Sequence, residues 1–451
     1  MEITLQNLGA LEYANFSLGD LTIICGKNNT GKTYAAYSLF GFLEYWRTNK
    51  IRLPIEEEIE KLLQTGKCEI DLSADKFDIQ KILLACSKQY TKNLSTTFSC
   101  KKEFFSDSSF EINFEKKMNI DTNSDYMLVS NKCPLISLSK RSPNLLQLNI
   151  FQEDNDIICS RLDLIEHVSS YIISMLYGKL FPNCFILSTE RTGITTFLKE
   201  LDFARNKLLE ELSENPDEKK ILFFNVKKDY SSAINFNIEF VRNIKSVVNL
   251  TSFLSKQHQY ILEYFDEIAN GKYEVNEIGE RYFVSSKPKK TLSMHQSSSS
   301  VRALSDLGFY LRHLAQKGDL LIIDEPELNL HPENQRKIAR LFAQLVNIGI
   351  KVFITTHSDY IIRELNTLIM LNSDKPHIKK IQKEEKYSSS ELLDFSKVKV
   401  YVAEQGKIPA KSRKGNTLVK APIDEQGIEV KSFDDTIEKI NQIQEAIVWG
   451  E

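Results

Sequence analysis

Apolar and polar residues alternate at the start of the chain. Ile3 and Leu5 are followed by Leu11, Tyr13, Phe16 and Leu18 before a Gly19-Asp20 turn. That period of two predicts a short antiparallel hairpin. Leu21-Thr22-Ile23-Ile24-Cys25 is instead a mostly apolar run, the pattern of a strand covered on both faces. A glycine-containing loop, Gly26 to Thr33, follows, and Tyr34 to Trp46 predicts a helix.

Between residues 50 and 270 helical patches alternate with polar stretches such as Ser106 to Ser109. Ile55 to Leu63, Leu162 to Leu180 and Phe197 to Leu212 are the helical patches, with Pro54 just ahead of the first, where a helix start tolerates proline. Phe197, Leu201, Ala204 and Leu208 keep a 4-3-4 spacing that predicts an amphipathic helix. The acidic, proline-containing segment Glu211 to Pro216 ends it, as at the tip of a helical hairpin. The apolar pattern does not persist for the heptads of a long coiled coil.

Past residue 270 the pattern sharpens. Tyr273 to Val284 predicts a hairpin turning near Gly279. Asp319 to Asp324 and Lys351 to Thr355 are buried strands by their apolar runs. Ile338, Leu341, Phe342, Leu345 and Val346 trace one helix face that stops at Gly349, and Tyr360 to Leu371 predicts another helix. Lys397 to Ala403 predicts a strand, and the chain closes with a helix capped at Ser432 whose stripe is Ile437, Ile440, Ile443 and Ile447. Strands alternating with helices predict an α/β fold with a mainly parallel sheet, joined by a small antiparallel β subdomain and a mostly helical insertion.

The bulk numbers narrow the setting. A chain of 451 residues with 42% hydrophobic and 26% charged residues has the composition of an ordinary globular protein. A formal net charge of -3 announces no global field for nucleic acid, so any such contact needs a local patch. Seven cysteines, none in C-x-x-C pairs, fit a reducing cytoplasm better than a disulfide framework. No signal segment opens the sequence and no run approaches the ~20 apolar residues needed to span a bilayer. A cytoplasmic protein without a membrane partner is the expectation.

Candidate chemistry begins with Gly26-Lys27-Asn28-Asn29-Thr30-Gly31-Lys32-Thr33, which matches the phosphate-loop pattern G-x-x-x-x-G-K-[ST]. Its glycines let backbone N–H groups converge on phosphate oxygens, and the following helix presents its positive end. Lys32 reaches the outer phosphates and the Thr33 hydroxyl is a ligand for Mg²⁺. Asp324 ends an apolar strand, where it supports the same metal, and Glu325 follows as the group to orient or deprotonate an attacking water. His357, after the strand Lys351 to Thr355, is placed to reach a γ-phosphate. Ser297 to Ser300 and Arg302 open a helix whose hydroxyls and guanidinium suit a phosphate supplied across a dimer. Basic runs at Lys287 to Lys290 and at Lys379, Lys380 and Lys383 read as solvated loops.

Together these pieces resemble the ABC ATPase superfamily, specifically its RecF/SMC/OLD branch. Asp324-Glu325-Pro326-Glu327-Leu328-Asn329-Leu330-His331-Pro332 is similar to that branch's Walker B and D-loop region, and Thr355-Thr356-His357-Ser358 to its switch histidine. The resemblance implies ATP on residues 26–33, Mg²⁺ on Thr33 and Asp324, Glu325 as the catalytic carboxylate and His357 as the switch residue. It implies a signature role for Ser298, Ser299, Ser300 and Arg302, although the family's serine-glycine pair is absent there. Ser188-Thr189-Glu190-Arg191 looks like the E-R segment that defence-associated members carry near the Q-loop, with Glu190 and Arg191 either functional or paired with each other. Four divisions follow: 1–50 and 271–375 as the two halves of an ABC ATPase head, 51–270 as a largely helical insertion, and 376–451 as a C-terminal β/α extension.

Size, insertion length and the Walker B region resemble the stand-alone ATPases of prokaryotic anti-phage defence, of the Septu and PARIS type. That resemblance implies a head-to-head homodimer or higher homo-oligomer controlling a separate effector, a nuclease or toxin encoded nearby. The alternative is a RecF/SMC-like DNA-repair or chromosome-maintenance ATPase that binds duplex DNA. A solute transporter is disfavoured, because the transporter-type L-S-G-G-Q is absent.

Overall fold

Continuous apolar runs in the sequence become the centre of a nine-stranded sheet. The computed structural model describes residues 1–48, 51–72, 77–114, 126–130, 133–142, 145–151, 160–178, 180–214, 230–409, 413–429 and 431–449. In chain order the strands are β1 (Glu2–Leu8), β2 (Leu11–Ser17), β3 (Leu21–Gly26), β4 (Lys67–Asp71), β5 (Ser109–Asn113) and β6 (Tyr126–Ser130). Then come β7 (Cys133–Ser142), β8 (Leu145–Phe151), β9 (Cys184–Leu187), β10 (Gly271–Val275), β11 (Arg281–Ser285) and β12 (Lys290–Ser293). The last are β13 (Leu320–Asp324), β14 (Lys351–Thr356), β15 (Val398–Lys407), β16 (Lys414–Lys420), β17 (Ile423–Asp424) and β18 (Gly427–Ile428).

The large sheet has the order β5-β1-β2-β16-β15-β3-β14-β13-β9. Its centre is parallel, from β15 through β3, β14 and β13 to β9. The β1–β2 and β15–β16 pairs are antiparallel. Every residue of β3 and β13 is buried, because layers cover both faces of a parallel sheet. Register then fixes the site: Cys25 lies beside Thr356, and Thr355 beside Asp324. The C-terminal ends of three strands therefore reach one edge together, where open α/β sheets present their ligand groups. Over one face the helix Pro332–Asn347 buries Ile338, Leu341, Phe342, Leu345 and Val346, each worth ~1.5–3 kcal/mol against exposure. The hairpin expected near Gly279 forms as β10–β11 and gains β12 as a third antiparallel strand.

The chain forms two compact units. One comprises Met1, Phe42–Tyr90 and Glu111–Pro182; the other comprises Glu2–Gly41, Thr91–Phe110 and Asn183–Glu451. The first contains helices, as expected of residues 51–270, and also the sheet β4-β8-β7-β6. In β4, Cys68 and Ile70 alternate with exposed neighbours, and in β8 Leu146 and Leu148 are buried. Such short alternations carry a weak signal beside long helical patches. Residues from Asn183 onward belong instead with the large sheet, which β9 joins. The C-terminal extension likewise supplies β15 and β16 to the middle of that sheet.

Two expected stripes differ in detail. Phe197 is 58% exposed and has non-helical backbone angles, so a kink interrupts the helix Arg191–Glu214 and breaks the 4-3-4 face. Asn215 and Pro216, the expected hairpin tip, lie outside the described residues. In the final helix, Lys431–Trp449, Ile440, Ile443 and Ile447 are exposed, while the side chains of Ser432 and Ile437 are outside those described. No helix among the described residues is long and apolar enough to cross a membrane.

Candidate nucleotide-binding site

The phosphate-loop pattern runs from Gly26 at the end of β3, through the loop Lys27, Asn28, Asn29, Thr30 and Gly31, to Lys32 and Thr33 in the first turn of the helix Lys32–Thr48. Gly26 has φ of 138°, and a Cβ there would sit 2.5 Å from the Ala403 carbonyl oxygen of β15. Gly31 has φ of 96°. Both positions need glycine because an L side chain is strained there. Lys32 is buried, and its Nζ donates to the carbonyls of Gly26 at 2.9 Å and Lys27 at 2.8 Å. Burial lowers the Lys32 pKa, opposed by the carboxylates of Glu325, Asp324 and Glu327. The loop is thus closed around its own ammonium group.

Asp324, at the end of β13, is fully buried. The Thr33 hydroxyl donates to its Oδ1 at 3.3 Å, and the Thr355 hydroxyl donates to the same oxygen. Its other oxygen, Oδ2, is buried without a hydrogen-bond partner. Burial pushes the carboxyl pKa up to about 6, although both hydroxyls favour the charged form. A buried carboxylate oxygen left unsatisfied beside a threonine hydroxyl is the donor set of a hard divalent cation that takes its remaining ligands from phosphate and water. Thr33 and Asp324 therefore fit Mg²⁺. Among the described residues, no cluster of three or more His, Cys, Asp or Glu side chains makes a self-sufficient metal cage.

Glu325 adopts φ of 51°, a left-handed conformation that costs a non-glycine residue ~1–3 kcal/mol and persists only where neighbours enforce it. Its N–H donates to the Thr355 carbonyl at 3.0 Å and to the Thr355 hydroxyl at 3.3 Å. The sharp turn swings the Glu325 side chain, a quarter exposed, out of the strand. His357 Nδ1 stands 3.4 Å from Glu325 Oε1 and 3.1 Å from Glu327 Oε1. Two carboxylates on one side of the ring orient the imidazole, leaving its Nε2 edge turned away from them.

Glu327, a motif residue to which the sequence assigns no role, organises this corner. Its Oε1 accepts from the Thr356 hydroxyl at 2.8 Å and from the His357 N–H at 2.7 Å. The signal in the sequence was only its place two residues after Glu325.

Of the two readings of the E-R segment, a Glu190–Arg191 pair is not the one that forms. Glu190 instead accepts from the Tyr37 hydroxyl at 3.2 Å. Arg191, only 2% exposed, donates to four backbone carbonyls, those of Ala303, Ser188, Asp324 and Glu325. Burial lowers its pKa, with Asp324 nearby opposing that shift.

Ser298 caps the helix Ser299–Phe309, its hydroxyl accepting from the Val301 N–H and lying 2.9 Å from that of Ser300. Arg302 folds back on the carbonyls of Met294 and Ser297. Within one copy, then, the structure brings together Lys32, Thr33, Asp324, Glu325 and His357. No hydrogen bond among the described residues joins Ser298, Ser299, Ser300 or Arg302 to that group.

A phosphate-loop strand and an acid-tipped strand on either side of β14, their C-terminal ends at one sheet edge, define the nucleotide-binding class of α/β protein. Residues 1–362 match the model of the AAA ATPase domain, and the chain belongs to that family. Among solved structures it is similar to the Smc head domain with an extended coiled coil bound to the C-terminal domain of ScpA from Pyrococcus furiosus. That match has 14% identity and a TM-score of 0.32, covering 98% of each chain. It is also similar to the SMC head domain from Thermotoga maritima, at 10% identity and a TM-score of 0.30, covering 94% of this chain and 98% of that one. No curated protein matches the chain.

Proposed function

We propose that this AAA-family ATPase hydrolyses ATP between two copies and uses the cycle to control a separate effector, a nuclease or toxin, in prokaryotic anti-phage defence of the Septu or PARIS type. The observation that carries the catalytic part is the convergence of Lys32, Thr33, Asp324, Glu325 and His357 at one sheet edge. In this reading residues 26–33 of one copy grip the triphosphate, and Ser298, Ser299, Ser300 and Arg302 of the other cover its γ-phosphate. Lys32 leaves its loop carbonyls for the outer phosphates, an exchange of partners that offsets much of the cost. Thr33 and Asp324 hold Mg²⁺. When bound, the cation neutralises charge growing on the phosphate oxygens.

Glu325 orients the water and accepts its proton as the water oxygen bonds to the γ-phosphorus and the bridging oxygen departs with ADP. His357, held at Nδ1 by Glu325 and Glu327, turns its other nitrogen toward the γ-phosphate. Binding closes the pair in the cytoplasm, and hydrolysis or a trigger reopens it and frees the effector.

Phosphate release by the purified chain tests the catalytic part. Lys32→Ala and Glu325→Gln each reduce it by ~10²–10³-fold, with Glu325→Gln accumulating a nucleotide-bound dimer on size exclusion. Full activity in Lys32→Ala overturns the site assignment. Co-purification with the neighbouring gene product, with and without ATP, tests the effector. No recovery in either state, together with ATP-stimulated, salt-sensitive binding of duplex DNA, moves the assignment to a RecF/SMC-like DNA ATPase.

A further inference from the structure

The geometry points to Arg191 as the positioning residue that links occupancy of the Ser298–Arg302 helix start to the posture of Glu325. The inference rests on the ATPase reading above and adds the device by which the second copy's phosphate contact would be felt at the water-activating carboxylate.

Three facts carry it. First, Arg191 spends its guanidinium on backbone. Nε donates to Ala303 at 3.2 Å, Nη1 to Ser188 at 2.7 Å and to Asp324 at 2.9 Å, and Nη2 to Glu325 at 2.7 Å. A permanently charged group at 2% exposure with no carboxylate in hydrogen-bond contact is costly, and an apolar residue would seal this core at lower cost. Second, the acceptors lie on separate elements: Ala303 in the helix Ser299–Phe309, Ser188 after β9, and Asp324 and Glu325 at the end of β13. Only a planar fork with five donors spans such a set from one side chain. Third, Glu325 is the residue whose backbone is held in the left-handed region, at φ of 51°. Thr355 restrains its N–H side and Arg191 its carbonyl side. Remove the second restraint and the turn is free to relax, taking the carboxylate with it.

The Ala303 carbonyl lies one turn inside the helix whose first residues are the serines. A phosphate bound at that helix start pulls on the whole helix, because a helix moves as a rigid rod over a single turn. Arg191 transmits the displacement to the Asp324–Glu325 carbonyls without any intervening loop. One copy alone, with nothing on its serines, leaves the carboxylate in the resting posture.

Arg191→Gln and Arg191→Lys test this beside the wild-type chain. Both variants are expected to bind a non-hydrolysable ATP analogue with Mg²⁺ within about threefold of wild type, and to keep KM within the same range, while kcat falls ~10–100-fold, the scale of a catalytic group misplaced by about 1 Å. Lysine keeps the charge but not the fork, so it does not rescue. Unchanged kcat in both variants, or rescue by lysine, overturns the inference while leaving the ATPase reading intact; an inactive wild type sinks that reading instead. A measurement on the unmodified protein covers the case of variants that do not fold. With the analogue bound, hydrogen exchange slows at the amides of Ser299–Phe309 and at those of Glu325–Leu328 together. Protection of the helix without any at the turn overturns the proposal.

Discussion

Replacing Asp324 by asparagine separates the charge of this side chain from its shape. The amide keeps an acceptor for the Thr33 and Thr355 hydroxyls and loses only the ionisable oxygen pair. Burial raises the carboxyl from 3.8 to about 6, and each pKa unit corresponds to ~1.4 kcal/mol, so ionised Asp324 costs the folded protein on the order of 3 kcal/mol. Because this carboxyl has a raised folded-state pKa, that cost is fully present above about pH 6 and disappears as the pH falls toward 3.8. Asparagine has no such window, and whatever its buried NH₂ costs is the same at every pH.

The informative quantity is therefore the stability of Asp324→Asn minus that of wild type, compared at about pH 7.5 and about pH 5. That difference should shrink by ~1.4 kcal/mol on acidification, since wild type recovers roughly half of its penalty. For a chain of 451 residues, an unfolding entropy of ~2 cal/mol/K per residue makes this a change of about 1–2 °C in the relative Tm. Differential scanning calorimetry without nucleotide resolves it. In a second arm, Mg²⁺ with ATP should raise the Tm of wild type and raise that of Asp324→Asn much less. A difference that stays constant with pH, or widens on acidification, refutes the account of Asp324 as a desolvated carboxylate awaiting a cation.

Two further substitutions probe the surroundings. Gly26→Ala brings a Cβ to 2.5 Å from the Ala403 oxygen at a φ that L residues rarely adopt, so it should cost ~1–3 kcal/mol and weaken nucleotide binding at least tenfold, read by calorimetry and analogue titration. Glu327→Gln retains an acceptor for Thr356 and the His357 N–H but removes the charge beside Nδ1; Tm should hold within ~1 °C while phosphate release falls roughly tenfold. A larger loss of Tm in that variant would make Glu327 a folding residue rather than an orienter of His357.

How much of this was legible follows from what each residue touches. Leu21 to Cys25 and Leu320 to Ile323 announce themselves because strands covered on both faces exclude polar side chains, and Gly26, Gly31, Lys32 and Asp324 follow at fixed offsets from them. The order of the sheet was not legible: nothing local in Val398 to Ala403 says that it pairs with β3 rather than with β14. Strands β4 and β8 were missed because alternations as short as Cys68 and Ile70, or Leu146 and Leu148, cannot outweigh a helical reading of the region. Arg191 was legible as half of an E-R segment after an apolar strand, but not by what it touches. Its partners are carbonyls, which every residue has, so no side-chain spacing reveals them.

The place of β15 has a consequence for how the protein is made. The strand that bears the phosphate loop is complete by Gly26, yet one of its two neighbours is Val398–Ala403, the other being β14. During synthesis β3 emerges early and waits, its apolar edge open, until nearly four hundred more residues have followed it. The nascent chain thus completes the walls of its phosphate loop only after Ala403 has been made, and a fragment cut after Leu371 would lack the backbone against which Gly26 is pressed.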